Sequence, residues 1–310
     1  MKASYGLKAV LPYLIAVAFV VSGCSVASPY RPAPQETIRD FSHNGKYVKK
    51  VGILALLNST TFVGDQIPAP FMIAFLESIK ATASDAALVI PGRMEVPLFL
   101  WNPPRIDNGQ LDVFTLSRQA RQAGMNALVS PLLMDIRVNS RKTGFWIFRD
   151  MEYNLQVQTA AAIYDAITGT RLDLVLLNEE IEIDAYEAER IRNGEEVIVD
   201  ALIDVVQEMG EALGERMGEA IDKSQWLASV VAVEDGACII SAGSEVGVAA
   251  GDRFSVLDGS GILTGLDGQR YVVPGVKIAE LTVDRVTARQ SQGKPESGDL
   301  PPTGSIVVPE

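Results

Sequence analysis

Two spacings of apolar residues alternate along the middle of the chain. The run "KVGILALL" (50–57) is continuously apolar, the pattern of a strand covered on both faces. Phe71, Phe75, Leu76 and Ile79 then recur at helical spacing, and "ALVIPG" (87–92) reads as a second strand. A helix is predicted from about Asp112 to near Gly124, where a residue without Cβ suits a left-handed end. Two longer strands follow, with Leu132, Met134, Ile136 and Val138 on one face of the first and Tyr153, Leu155, Val157, Ala161 and Ile163 on one face of the second. The chain turns at Thr168-Gly169. In the next strand Leu172, Leu174 and Leu176 are in even phase but Ile181 and Ile183 in odd phase, so a bulge is predicted between about Leu177 and Glu180.

From Glu195 to about Asp222 a long amphipathic helix carries Ile198, Leu202, Val205, Met209, Leu213, Met217 and Ile221 as its apolar stripe. Gly210, Gly214 and Gly218 form a second stripe beside it. Each glycine costs about 1 kcal/mol against alanine in a helix, so the spacing implies a closely approaching backbone. That backbone belongs either to the protein's own sheet or to another subunit, which makes the stripe a partner-binding candidate and a homo-oligomer one arrangement it admits. From Trp226 onward only short β-rich pieces remain, separated by Gly- and Asp-containing turns. The predicted fold is an α/β (or α+β) domain at 47–223, with a mixed sheet packed by helices, followed by a small all-β, barrel-like domain at 224–310.

The amino-terminal region has a different pattern. Lys2 and Lys8 precede an almost wholly apolar stretch from Ala9 to Val21, then Ser22, Gly23 and Cys24. This is the plan of a signal peptide over residues 1–23, and Pro12 with the short apolar length argues against a spanning helix. Val21-Ser22-Gly23-Cys24 resembles a bacterial lipobox, which implies acylation of Cys24. Ser25 in place of Asp resembles the lipoproteins sorted to the outer membrane. Several acyl chains hold a protein to a membrane far better than one. Residues 24–46 then read as a lipidated cysteine and flexible tether, rich in proline and polar residues. With 39 acidic and 27 basic residues the chain carries −12, and loss of residues 1–23 removes two lysines and no acid, giving −14. Nucleic acid is a poor partner for such a surface. The second cysteine, Cys238, lies between apolar residues of a predicted strand and reads as a buried, inert thiol.

Asn58-Ser59-Thr60 after a strand, "LVIPG", "GMNALVSPLL" and "AAIYDAITGTRL" together resemble the α/β domain of CsgG-like envelope lipoproteins, a family that includes the curli secretion channel. "GSEVGVAAGDRFSVLD" followed by "VKIAELTVDRV" is similar to the carboxy-terminal β domain of the flagellar assembly protein T family. These resemblances cover roughly residues 47–310. They imply a non-enzymatic outer-membrane lipoprotein, facing the periplasm, that acts on other envelope proteins as a scaffold or assembly factor, with a flagellar role as one option. The alternative is a ring-forming secretion or transport component. Channel members cross the membrane with hairpins, whose strands need about 9–11 residues each. Here "RMEVPLFLWNPPRIDNGQ" is broken by prolines and "SRKTGFWIFRD" is too short.

That second segment is nonetheless a candidate contact. Phe145, Trp146, Ile147 and Phe148 stand in a row at a predicted hairpin tip, flanked by Arg141, Lys142 and Arg149, a composition suited to a partner pocket or a membrane interface. Folding back onto the protein's own core is the other reading. Catalytic chemistry finds little support. The only histidine, His43, lies in the tether, and no P-loop or zinc spacing occurs. Ser59, Thr60 and Asp65 are expected to cap a helix. The acids Glu179, Glu180, Glu182, Asp184, Glu187 and Glu189 read as a solvated face rather than a calcium site. No cofactor and no metal is expected.

Overall fold

The computed structural model describes residues 47–310 apart from 63–65, 93–95 and 146–147. The expectations for residues 1–46, including the signal peptide, Cys24, the tether and His43, lie outside the described residues, as do Asp65, Trp146 and Ile147. The predicted fold class is borne out: a mixed sheet packed by helices precedes a closed β barrel.

The sheet runs in the order β3 (Ala86–Val89), β1 (Lys49–Ile53), β4 (Ala127–Phe145), β5 (Phe148–Asp165), β6 (Arg171–Ile183), with β2 (Leu57–Asn58) also paired to β4. β1 pairs in parallel with β3 and β4, and β2 in parallel with β4, while the β4–β5 and β5–β6 pairs are antiparallel. Against one face pack α1 (Pro68–Thr82) and the long α5 (Asp200–Lys223), and α4 (Ala185–Arg192) sits nearer the far end of the strands. Phe71, Phe75 and Ile79 of α1 are fully buried among Val51, Val129, Val157 and Leu213. Each such side chain stabilises the fold by about 1.5–3 kcal/mol. Among the described residues, the opposite face is covered at one end only. There α2 (Leu98–Trp101) and α3 (Val113–Gln122) bring Leu100, Leu116 and Ala120 over Leu54 and Leu128.

Local chemistry explains the ends of these elements. Pro68 opens α1, a position where its missing N–H costs nothing. Ser59 and Thr60 do not cap that helix. Instead Asn58 Oδ1 accepts from the amide and hydroxyl of Thr60 in a local turn. Asp112 caps α3 by accepting from Thr115, and Gly124 beyond its end has φ +68°. A Cβ on Gly124 would also stand 2.2 Å from the carbonyl oxygen of Ser241 in the barrel. Asp184 and Glu187 form a reciprocal capping box for α4, so two of the acids in the run noted above are engaged in helix ends. Sequence periodicity missed this short helix. It also carried α5 too far back: Glu195 and Ile198 precede it, and Ile198 is 67% exposed.

The barrel closes in the order β12 (Lys277–Val286), β13 (Ser291–Gly298), β8 (Ala237–Ile240), β7 (Ala228–Glu234), β14 (Ile306–Pro309), β9 (Arg253–Leu257). A separate hairpin, β10 (Gly261–Thr264) and β11 (Arg270–Val273), connects β9 to β12. Cys238 is fully buried in the barrel core, where burial pushes its thiol pKa up. Tyr47 also belongs to that core, its ring 4.6 Å from Trp226 and 5.6 Å from Phe254. The residues just before β1 are thus tied to the barrel, and Val48 N donates to Val246 O.

Candidate interaction surfaces

The β4–β5 hairpin is the longest local structure. Its register runs without interruption from Asp135 opposite Gln158 to Phe145 opposite Phe148. At its base Arg192 of α4 stacks over the Tyr153 ring at 5.4 Å and donates to Ser140 Oγ at 3.2 Å. Beyond that base the strands carry exposed Arg141, Lys142, Asp150 and Met151, with Arg141 paired to Glu152 at 3.3 Å. Such an exposed pair contributes little to stability. Residues 141–145 on one strand reach about 16 Å at 3.3 Å per residue, short of a membrane span. The hairpin tip is therefore where the sequence placed it. Of its four large residues, Trp146 and Ile147 fall outside the description.

The uncovered end of the sheet's second face holds a row that periodicity misassigned. Leu57 on β2 lies beside Leu132 on β4, which pairs with Ala160 on β5 and through it with Leu176 on β6. Leu57 is 40% and Leu176 58% exposed, and Leu174, one row below, is 40% exposed. The bulge predicted between Leu177 and Glu180 is absent, because β6 pairs with β5 in unbroken register from Leu174 to Ile183. The odd-numbered residues face α5 throughout, burying Ile181 and Ile183, while Leu172, Leu174 and Leu176 point outward. The irregularities lie elsewhere, opposite Ile163/Tyr164 and in β4 between Leu133 and Asp135, where the inward phase changes from odd to even. Above the leucines a polar ladder crosses three strands. Arg137 Nε and Asn139 Nδ2 donate to Gln156 Oε1, and Gln156 and Gln158 donate to Asn178 Oδ1. Among the described residues β6 pairs with β5 alone, so its outer edge offers unpaired backbone groups beside the leucines.

The glycine stripe is closed. A Cβ on Gly210 would lie 2.6 Å from Phe71 O, one on Gly214 2.4 Å from Phe75 O, and one on Gly218 2.6 Å from Thr82 Cβ. The approaching backbone is that of α1, running parallel to α5, rather than the sheet or a second subunit. Ser78 Oγ reinforces the contact by donating to Glu211 O at 2.8 Å. All three glycines are buried, so this face presents no free surface.

A third feature is the seam between sheet and barrel, which no sequence pattern revealed. Asn126, 5% exposed, uses every hydrogen-bonding group it has. Its amide donates to Lys50 O, its carbonyl accepts from Ala166 N, Oδ1 accepts from Lys50 N, and Nδ2 donates to Leu227 O at 2.7 Å. Phe114 of α3 packs among Leu227, Leu257 and Val272, with Arg270 over its ring at 4.1 Å. Beside the seam opens a cavity of about 590 Å³, whose lining includes Lys50, Val89, Met125, Glu245 and Arg289. Burial lowers the pKa of the Lys50 amine; nearby Glu245 partly restores it and Arg289 opposes it. The only signal for this residue was a lysine at the head of an apolar strand.

No protein-family model matches the chain, and no curated protein matches it. Among solved structures, it is similar to a PelC dodecamer from Paraburkholderia phytofirmans, at 12% identity and TM-score 0.29, over 54% of this chain and 87% of that one. Lipoprotein GNA1162 from Neisseria meningitidis matches at 9% identity and TM-score 0.30, over 55% and 99% of the respective chains. The hypothetical protein CT253 from Chlamydia trachomatis matches at 11% identity and TM-score 0.30, over 56% and 98%. Likenesses this distant carry no argument about role.

Proposed function

We propose that this chain is an envelope lipoprotein held by acylated Cys24 at the periplasmic face of the outer membrane, where it binds other envelope proteins as a non-enzymatic scaffold or assembly factor. The lipobox spacing supports the anchor, and the observation that carries the binding role is the leucine row at the unpaired edge of β6. Leu174 and Leu176 present apolar side chains next to backbone groups that a partner strand can pair with. The Arg141–Phe145 arm extends from the same strands and offers a second contact. A flagellar machine is one setting for such a factor, and a ring of copies in a secretion or transport assembly is the alternative.

Photo-crosslinking in living cells tests this reading. A benzophenone amino acid at Leu176 or Met151 of the full-length protein is expected to give a discrete adduct with a different envelope protein, identified by mass spectrometry. Adducts with itself alone would favour the ring, and an absence of adducts at both positions would overturn the contact role. Replacing Cys24 by alanine is expected to abolish labelling by radioactive palmitate and release the protein from the membrane fraction.

A further inference from the structure

The outward face of β6 is ordered along its length. Side chains of a strand alternate between faces, and the burial of Ile181 and Ile183 on the α5 side fixes the phase. The outward row is therefore Leu172, Leu174, Leu176, Asn178, Glu180 and Glu182, all exposed: leucines, then an amide, then carboxylates. Gln156 and Gln158 both donate to Asn178 Oδ1 and hold it at the join between the two halves. On β4, beyond β5, Arg137 lies 3.6 Å from Asp135 and Arg141 3.3 Å from Glu152, so their charges are directed to those acids. Natural edge strands are often guarded by lysine, proline or a bulge. From Leu174 to Ile183 β6 has neither lysine nor proline, and its register with β5 is unbroken.

We propose that the partner at this edge is an extended segment with apolar side chains at alternate positions in one half and lysine or arginine at alternate positions in the other. It adds to β6 as a further strand, with its apolar half on the leucines and its basic half opposite Glu180 and Glu182. This inference rests on the reading of β6 as a partner contact and adds the chemistry of what β6 takes. Backbone pairing supplies affinity, and the outward row supplies specificity, because a slip of one residue turns every matching side chain to the wrong face. The carboxylates reject acidic segments, and the chain's own net charge of −12 disfavours a second copy as the occupant.

Fluorescence anisotropy of the full-length protein in detergent tests the proposal. The probe is a labelled eleven-residue peptide with lysine at its first and third positions, asparagine at its fifth, leucine at its seventh, ninth and eleventh, and threonine between. Saturable binding is expected for this peptide or for its reversed sequence, and the order that binds gives the direction of the added strand. Glutamate in place of the lysines is expected to weaken binding at least about tenfold. The double variant Glu180→Lys with Glu182→Lys, at exposed positions, is expected to reverse that preference. Methylation of one alternate set of peptide amides should abolish binding and methylation of the other set should spare it, since only alternate amides face a given neighbour. No saturable binding in either order, equal binding of the lysine and glutamate peptides, an unchanged preference in the double variant, or indifference to both methylations would overturn the proposal. So would a dimer in sedimentation that Leu174→Ser converts to a monomer, because a second copy would then hold the edge. An envelope-protein adduct from position 176 without binding of the lysine peptide would overturn this inference alone and leave the contact role standing.

Discussion

The glycine stripe of α5 and the leucine row of β6 differ in the opposite sense from what residue size implies. Gly210, Gly214 and Gly218 are small enough to leave a helix face bare, yet α1 fills that face to within 2.4–2.6 Å of where a Cβ would stand. Leu172, Leu174 and Leu176 are large and apolar, yet they are 40–58% exposed. Size alone does not assign a side chain to core or surface. Phase does: the glycines lie on the side of α5 that meets α1, and the leucines lie on the side of the sheet that α2 and α3 cover only at one end.

This contrast can be broken most strongly at Gly214. Replacement by leucine drives a side chain into the Phe75 carbonyl and Ser78, neither of which can yield without moving α1, and should destabilise the protein by about 3 kcal/mol in urea unfolding. A loss below about 0.5 kcal/mol would mean that the two helices are not locked together. The seam comes next. Asn126→Ala removes the bond to Leu227 O and the acceptor for Lys50 N from a buried site, and should cost about 2 kcal/mol, with faster amide exchange at Lys50.

The half-covered face depends on α3, whose cap gives a smaller effect. Asp112→Ala should cost about 1 kcal/mol. Burial pushes the Asp112 carboxyl up, but hydrogen bonds from the hydroxyl and amide of Thr115, with the Arg270 charge and the Phe114 amide, outweigh it and hold the pKa below the ordinary value. Because the folded value is the lower one, the cap's contribution is complete above the ordinary Asp value and is lost as pH falls through the folded value. Acid unfolding curves of the parent and Asp112→Ala should therefore converge at the acid end. The smallest change in stability is expected at the leucine row itself. Leu174→Ser and Leu176→Ser should each shift stability by less than about 0.5 kcal/mol, and Leu174→Ser should abolish the crosslink from position 176. A large loss of stability there would show that the row is covered in solution.

Much of the fold was legible because each element has its own period. Phe71, Phe75 and Ile79 announce α1, and Leu155, Val157, Ala161 and Ile163 announce the inward face of β5. The errors have a common cause. Alternation reports which residues share a face but not whether that face is covered, so even-phase leucines beside odd-phase isoleucines read as one interrupted core strand rather than two faces of a regular one. The real change of phase, in β4 between Leu133 and Asp135, was hidden because Leu132, Leu133 and Met134 are apolar on both sides. Short α4 is signalled by the Asp184/Glu187 capping box more than by an apolar stripe, since only Ala188 in it is buried. Asn126 and Lys50 were invisible for a different reason. Their partners are backbone atoms or residues far along the chain, such as Leu227 at a separation of 101 residues and Glu245 in the barrel, and no local pattern encodes them.

Tyr47 has a bearing on the order in which the molecule can be completed. Its ring needs Trp226 and Phe254 to rest on, and two residues later Lys49 Nζ reaches the carbonyls of Ile221 and Asp222, 172 and 173 residues away. The residues at the head of the first strand thus gain these contacts only once the end of α5 and the barrel are in place. These contacts join residues far apart in sequence, and such distant closures are slow. Until then β1, which lies between β3 and β4 in the finished sheet, is an exposed apolar segment of the kind that invites aggregation.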